Sequence, residues 1–269
     1  MSELNPPTKP RVMAVANQKG GVGKTTTAIN LAAALVEAGK RVLILDLDPQ
    51  GNASTGLGIE QDQREITTYD VLVGEASLFE ALQPTDIKGL WLAPADESLA
   101  AADAELLSSD NRSFRLKAAL EDPDFLDFAF DYVIIDCPPS LNLLTVNAMV
   151  AASSVLVPLQ SEFFALEGLS QLMVTIRGVR NSANPGLRIE GIVLTMYDGR
   201  NRLSKQVLAD ARDNLGELVF ETIVPRNVRL SEAPSFAMPI LEYDTRSKGS
   251  KAYRDLAQEI VVRHQVATR

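Results

Sequence analysis

Short apolar runs recur along the chain, separated by longer segments in which apolar residues return every three or four positions. The runs are Val12–Ala16, Arg41–Asp46, Gly89–Ala93, Asp131–Asp136, Ser154–Leu159, Glu190–Met196 and Glu221–Pro225. Each predicts a strand, Arg41–Asp46 a buried one, with Gly89–Ala93 the weakest. Between them, Ala28–Leu35 predicts a helix closed by Gly39. Leu166, Leu169, Leu172, Met173, Ile176 and Val179 lie at helical spacing, and Leu256, Ala257, Ile260 and Val261 share one face of a last helix around Ala252–Val262. Strands alternating with helices predict an α/β fold, a mostly parallel twisted sheet flanked by helices on both faces. No repeat, low-complexity tract or Pro/Gly linker divides the chain. A flexible lead-in over residues 1–10, with Pro6, Pro7 and Pro10, and a single domain over 11–269 are expected.

Composition narrows the chemistry. With one cysteine, Cys137, no intramolecular disulfide forms, which fits a reducing cytosol, and paired-cysteine metal or cluster carriers are excluded. A single histidine, His264, argues against His-based metal sites and triads. No apolar run reaches the ~18 residues of a membrane span. The net charge of −9 speaks against nucleic acid, but it is unevenly spread. Arg177–Arg254 holds 13 basic and 9 acidic residues, whereas the remainder holds 13 and 26. A basic face on an acidic protein is therefore possible.

Between the first strand and the first helix runs Lys19-Gly20-Gly21-Val22-Gly23-Lys24-Thr25-Thr26. Strand, glycine loop and helix form a phosphate cradle: glycines turn backbone N–H groups inward, and the helix N-terminus adds partial positive charge. Lys24 would reach the β- and γ-phosphates and the Thr25 hydroxyl would ligate Mg²⁺. These features predict a single-domain P-loop NTPase. The usual pattern is missed by one residue, because Gln18 stands where its first glycine belongs, and Lys19 is a lysine too many.

Acids should meet this loop at the carboxyl edge of the sheet, where parallel α/β folds bind ligands. Asp136 ends an apolar run and reads as the acid that faces Mg²⁺. Asp46 and Asp48 end another and share a face if the strand persists that far. One can support the metal or the loop lysine while the other orients the attacking water. Asp48 is assigned to the water, with a place at the metal, because Pro49-Gln50-Gly51 suggests a mobile loop. Asp46 alternatively only caps the turn.

These residues together resemble a known family. Asn17–Thr27 is similar to the deviant Walker A box, and with Asp46–Asn52, Asp136–Ser140 and Pro225–Ser235 it resembles the ParA/Soj chromosome- and plasmid-partitioning ATPases. The match runs from about Val12 to Leu256. The resemblance implies a nucleotide-sandwich homodimer in which Lys19 of one subunit reaches the phosphates held by the other. It implies ATP and Mg²⁺ as ligands, slow hydrolysis until a ParB-type protein stimulates it, and Met196, Pro225 and Asn227 beside the adenine. It also implies that the ATP-bound dimer binds double-stranded DNA without sequence preference and associates with the nucleoid in the cytoplasm. Candidate DNA contacts are Arg200, Arg202, Lys205, Arg226, Arg229, Lys248 and Lys251, led by Arg229 and Arg200. The residues ahead of the first strand are too few for a helix-turn-helix, so operator-specific repression is not expected. The rival reading is a MinD-like membrane-positioning ATPase. That needs a basic amphipathic C-terminal helix, and the mixed polar face of Arg254, Asp255, Glu259 and Arg263 makes a poor one, so stable membrane association is not expected.

Overall fold

The computed structural model describes residues 9–162 and 165–266. The lead-in expected over residues 1–10 therefore lies outside the described residues except for Lys9 and Pro10. Eight strands form one sheet: β1 (Arg11–Val15), β2 (Val42–Asp46), β3 (Gln83–Pro84), β4 (Leu90–Ala93), β5 (Tyr132–Asp136), β6 (Ser154–Gln160), β7 (Arg188–Tyr197) and β8 (Val219–Pro225). Their order is β3-β4-β2-β5-β1-β6-β7-β8, and every pairing is parallel except β3 with β4. All seven expected strands are present. The short edge strand β3 was not expected; Gln83-Pro84 carries no apolar run, and Pro suits only such an edge.

The helices are α1 (Lys24–Glu37), α2 (Asn52–Gly56), α3 (Thr68–Val73), α4 (Ala102–Glu105), α5 (Arg115–Leu120) and α6 (Pro123–Leu126). Then follow α7 (Leu143–Ala151), α8 (Ala165–Ser182), α9 (Arg202–Leu215), α10 (Val228–Glu232), α11 (Ile240–Tyr243) and α12 (Lys248–Val266). Strand alternation explains the two layers. Ala14, Leu43, Leu45, Val133 and Ile135 face one core with α3, α5, α7 and α8. Met13, Val15, Val42, Ile44 and Ile134 face the other with α1, α11 and α12. Both faces are covered, which is why these strands read as unbroken apolar runs. Leu256 and Ile260 are fully buried in the second core, so the apolar face of the last helix is spent on packing against α1 and β8.

The end of α12 is anchored at the amino edge of the sheet. His264 Nε2 lies 2.8 Å from Glu190 Oε1, Ser154 Oγ donates to Glu190 Oε2 at 2.6 Å, and His264 Nδ1 meets the Tyr132 hydroxyl at 3.1 Å. Burial by itself would raise the Glu190 carboxyl, but these bonds and the nearby charges of His264 and Arg188 hold it below the usual carboxylate range. A depressed native value contributes stability that is complete above the unfolded value near 4.5 and is lost as pH falls through the native one. We expect His264→Ala to cost about 3 kcal/mol in urea unfolding at pH 7, because it strands a buried carboxylate. Glu190→Gln should remove the Glu190 share of the loss of stability below pH 4.5; an unchanged acid profile would assign that loss to other carboxylates.

Candidate functional site

The order of strands builds the site. β5 lies between β2 and β1, with Asp136 in register with Asp46 on one side and Val15 on the other. The loop after β1 thus begins beside Asp136, with Asp46 one strand further on. Gly21 and Gly23 take positive φ, 73° and 87°, which L side chains rarely adopt, and Gly23 caps α1 without any side chain bonding the first-turn N–H groups. Those donors are left to an anion. Asn17 shapes the loop start: its Nδ2 donates to Pro158 O at 2.7 Å and its Oδ1 accepts the Lys19 N–H at 3.0 Å. Thr195 Oγ1 donates to Val22 O at 2.8 Å and ties β7 to the loop.

Lys24 is buried and its Nζ donates to Lys19 O at 3.3 Å. Burial lowers the Lys24 ammonium; the charges of Asp136 and Asp48 oppose this. Asp136 is fully buried, and neither carboxylate oxygen has a hydrogen-bond partner. Burial and then the neighbouring Asp46 push its carboxyl well above the usual value. Thr25 offsets part of that rise without reaching hydrogen-bond geometry. The Asp136 carboxylate and the Thr25 hydroxyl are oxygen donors that could hold Mg²⁺, with Lys24 beside them. Among the described residues no three acids, histidines or cysteines form a metal cage. Mg²⁺ binds through one or two protein ligands plus phosphate and water.

The acid that ends β2 and the acid two residues beyond it have different surroundings. Asp46 Oδ2 accepts both the N–H and the hydroxyl of Ser54, at 2.9 and 2.7 Å, and its Oδ1 accepts the Asp48 N–H at 3.1 Å. Its carboxyl is raised to about 6 by burial, partly offset by these bonds. Asp46 is therefore committed to its own loop. Asp48 stands beyond it, 8% exposed, with Oδ1 accepting the Gln50 N–H at 3.0 Å. The turn expected to be mobile is hydrogen-bonded internally, Gly51 N–H to Asp48 O at 2.8 Å.

A cavity of about 350 Å³ adjoins Gly23 and Thr26, walled by Met196, Pro225, Asn227 and Pro234. It brings together the three residues expected beside the base. Met196 takes a positive φ of 51°, an uncommon conformation for a bulky residue. Asn227 Oδ1 is used in capping α10 through the Arg229 N–H, at 2.9 Å. Thr195, Leu230, Ser231 and Tyr253 also line this cavity and were not foreseen. Thr195 and Tyr253 carry no motif; only the fold places them there.

Lys19 points elsewhere: its Nζ pairs with Glu162 at 2.8 Å, and its side chain is 39% exposed. The expected basic surface is partly neutralised. Arg200 forks onto Asp198 at 3.1 and 3.2 Å, Arg229 pairs with Glu232 and Asp244 at 2.8 and 3.6 Å, and Lys251 pairs with Asp255 at 2.7 Å. Arg202, Lys205, Arg226 and Lys248 are exposed and form no ion pair among the described residues. The loops after β7 and β8 meet where Arg226 N–H donates to Tyr197 O at 2.9 Å. Gly249 lies against Leu230 and brings the start of α12 alongside.

Residues 10–189 match the AAA domain family. The chain is 58% identical over 255 residues to the chromosome partitioning protein ParA of Caulobacter vibrioides, covering 95% of each chain. It is 50% identical over 250 residues to the sporulation initiation inhibitor protein Soj of Bacillus subtilis, covering 93% of this chain and 98% of Soj. Among solved structures, it resembles the cobyrinic acid a,c-diamide synthase of Mycobacterium smegmatis with bound ADP and magnesium, at TM-score 0.83, 43% identity and 97% coverage of each chain. A P-loop at the centre of a parallel sheet, acids at the ends of β5 and β2 and identity over nearly the whole chain lead to one conclusion: the chain belongs to the AAA-domain P-loop proteins and, within them, to the ParA/Soj partitioning ATPases.

Proposed function

We propose that this ATPase partitions DNA: two subunits close around ATP and Mg²⁺, the dimer binds double-stranded DNA non-specifically, and a ParB-type protein triggers hydrolysis. The observation that carries the catalytic part is the orphaned carboxylate of Asp136 beside Thr25, Lys24 and the side-chain-free N-terminus of α1. Backbone N–H groups of Gly20–Thr26 hold the phosphates, and Lys24 neutralises the β- and γ-oxygens. Thr25 and Asp136, with Asp48 close by, hold Mg²⁺, which when bound offsets the charge developing on the phosphoryl group. Asp48 orients the attacking water. Lys19 leaves Glu162 and supplies its charge to the partner subunit's phosphates. Met196, Pro225 and Asn227 enclose the adenine.

Sliding of chromosome or plasmid cargo over the nucleoid then follows from ATP-gated DNA affinity. The unpaired cations Arg202, Lys205, Arg226 and Lys248 are the favoured phosphate contacts, and Arg200, Arg229 and Lys251 join them by exchanging a carboxylate for a phosphate. A MinD-like membrane role is disfavoured because the apolar face of α12 is already buried. The deciding experiment is ATP hydrolysis measured with and without DNA and a candidate ParB-type protein; no stimulation by the pair would refute the partition reading. The four cations without an ion pair alone give about eight phosphate contacts per dimer, so log affinity against log salt should be at least as steep as about −7 with ATP, and Arg226→Ala should flatten it by about 2. Gel-shift affinity that ignores salt, or is equal with ADP and ATP, would remove DNA from the cycle.

A further inference from the structure

Arg64 carries a charge that no part of the nucleotide chemistry uses. The residue is 7% exposed, and among the described residues it pairs with no carboxylate. A cation buried without a counter-ion is costly, and an apolar side chain would fill the same volume more cheaply. Neutral acceptors hold it instead. Nε and Nη2 donate to Ile59 O at 3.0 and 2.7 Å, Nη2 also to Thr55 Oγ1 at 2.8 Å, and Nη1 to Ala95 O at 2.9 Å.

These acceptors belong to the two segments that flank the Asp48 turn from behind. Thr55 is in α2, which starts directly after Gly51, and Ala95 follows the end of β4. Ala95 is held twice, since its N–H also donates to Ser54 Oγ at 3.1 Å, and Ser54 is the residue gripped by Asp46. Gly51 completes the fit. With φ of 58°, a Cβ there would overlap the Arg64 guanidinium and come within 2.7 Å of Ala95 O. Asp46 thus fixes the turn from the β2 side and Arg64 fixes it from the β4 side.

We propose that Arg64 is a positioning residue for ATP hydrolysis: it clamps α2 to the end of β4, so that the turn from Asp48 to Gly51 holds the Asp48 carboxylate in one orientation. The proposal rests on the reading of Asp48 as the group that orients water. Small displacements at such a position act on the chemical step more than on ground-state binding.

The test measures kcat and KM for ATP hydrolysis and equilibrium ATP binding for Arg64→Gln, Arg64→Lys, Thr55→Val and Asp48→Asn. Arg64→Gln is expected to lower kcat about tenfold or more with ATP affinity within about threefold. Arg64→Lys should not restore the rate, because a single ammonium cannot form the planar fork. Thr55→Val, at an exposed position, removes one acceptor and should lower kcat about threefold. Wild-type kcat in both Arg64→Gln and Thr55→Val, or affinity that falls in step with kcat, overturns the clamp. If Arg64→Gln does not fold, Thr55→Val decides alone. Asp48→Asn at the wild-type rate would instead overturn the role of Asp48, and the two failures are told apart by which variant keeps its turnover.

Discussion

Replacing Lys19 with alanine should reduce stimulated ATP turnover by ~10³-fold or more while ATP still binds. A cation delivered across an interface to a transferring phosphoryl group is worth ~10³–10⁵ in rate in the comparable arginine-finger systems. The ammonium of Lys19 is not spent on its own loop, where Lys24 already closes onto Lys19 O. It rests on Glu162, and an exposed pair of that kind is worth only about 0–1 kcal/mol, so releasing it to a neighbouring subunit costs little. Phosphate release in the presence of DNA and a ParB-type protein, with gel filtration of the ATP-bound form, checks both halves of the expectation. Wild-type stimulated turnover in the variant would end the role in trans.

The second large effect is expected for Asp48→Ala: a loss of ~10²–10⁴ in turnover, the range associated with a positioned acid or base, and ATP-bound dimers that persist. Asp46 cannot take over, since its carboxylate is occupied by Ser54 and the Asp48 N–H. Asp136 is the other nearby acid, and it is the one proposed for the metal. Single-turnover hydrolysis from preloaded ATP separates chemistry from binding here. Rapid hydrolysis would reassign the water-orienting role to another group.

Much of this site was legible in the chain itself because its parts are local. Lys24, Thr25 and the glycines between them lie within one turn of loop and helix, and the chemistry of a phosphate loop dictates their spacing. Asp48 and Asp136 were legible because a buried parallel strand leaves an apolar run, and an acid closing that run sits at the binding edge. The difference between Asp46 and Asp48 was legible only in outline, as a turn cap offered for Asp46 and a water-orienting role for Asp48. It depends on Ser54, and nothing in Asp46-Leu47-Asp48 says which carboxylate that serine meets. The cations show the same limit. Arg200 and Arg229 stand out in the chain as the leading phosphate contacts, yet in the fold Asp198, Glu232 and Asp244 lie against them.

By itself the sequence determined the seven main strands, the phosphate loop and the acids that approach it. These follow from hydrophobic periodicity and from backbone chemistry within a few residues. Only the tertiary structure decided that β5 lies between β1 and β2 and so sets Asp46 and Asp136 side by side. It alone placed Arg64 behind the Asp48 turn, Lys19 on Glu162 and His264 on Glu190. Those partners are 31, 143 and 74 positions apart for the Arg64–Ala95, Lys19–Glu162 and Glu190–His264 contacts. Contacts of that span form when two packed layers bring distant segments together, and no periodicity within one segment encodes which polar groups then meet.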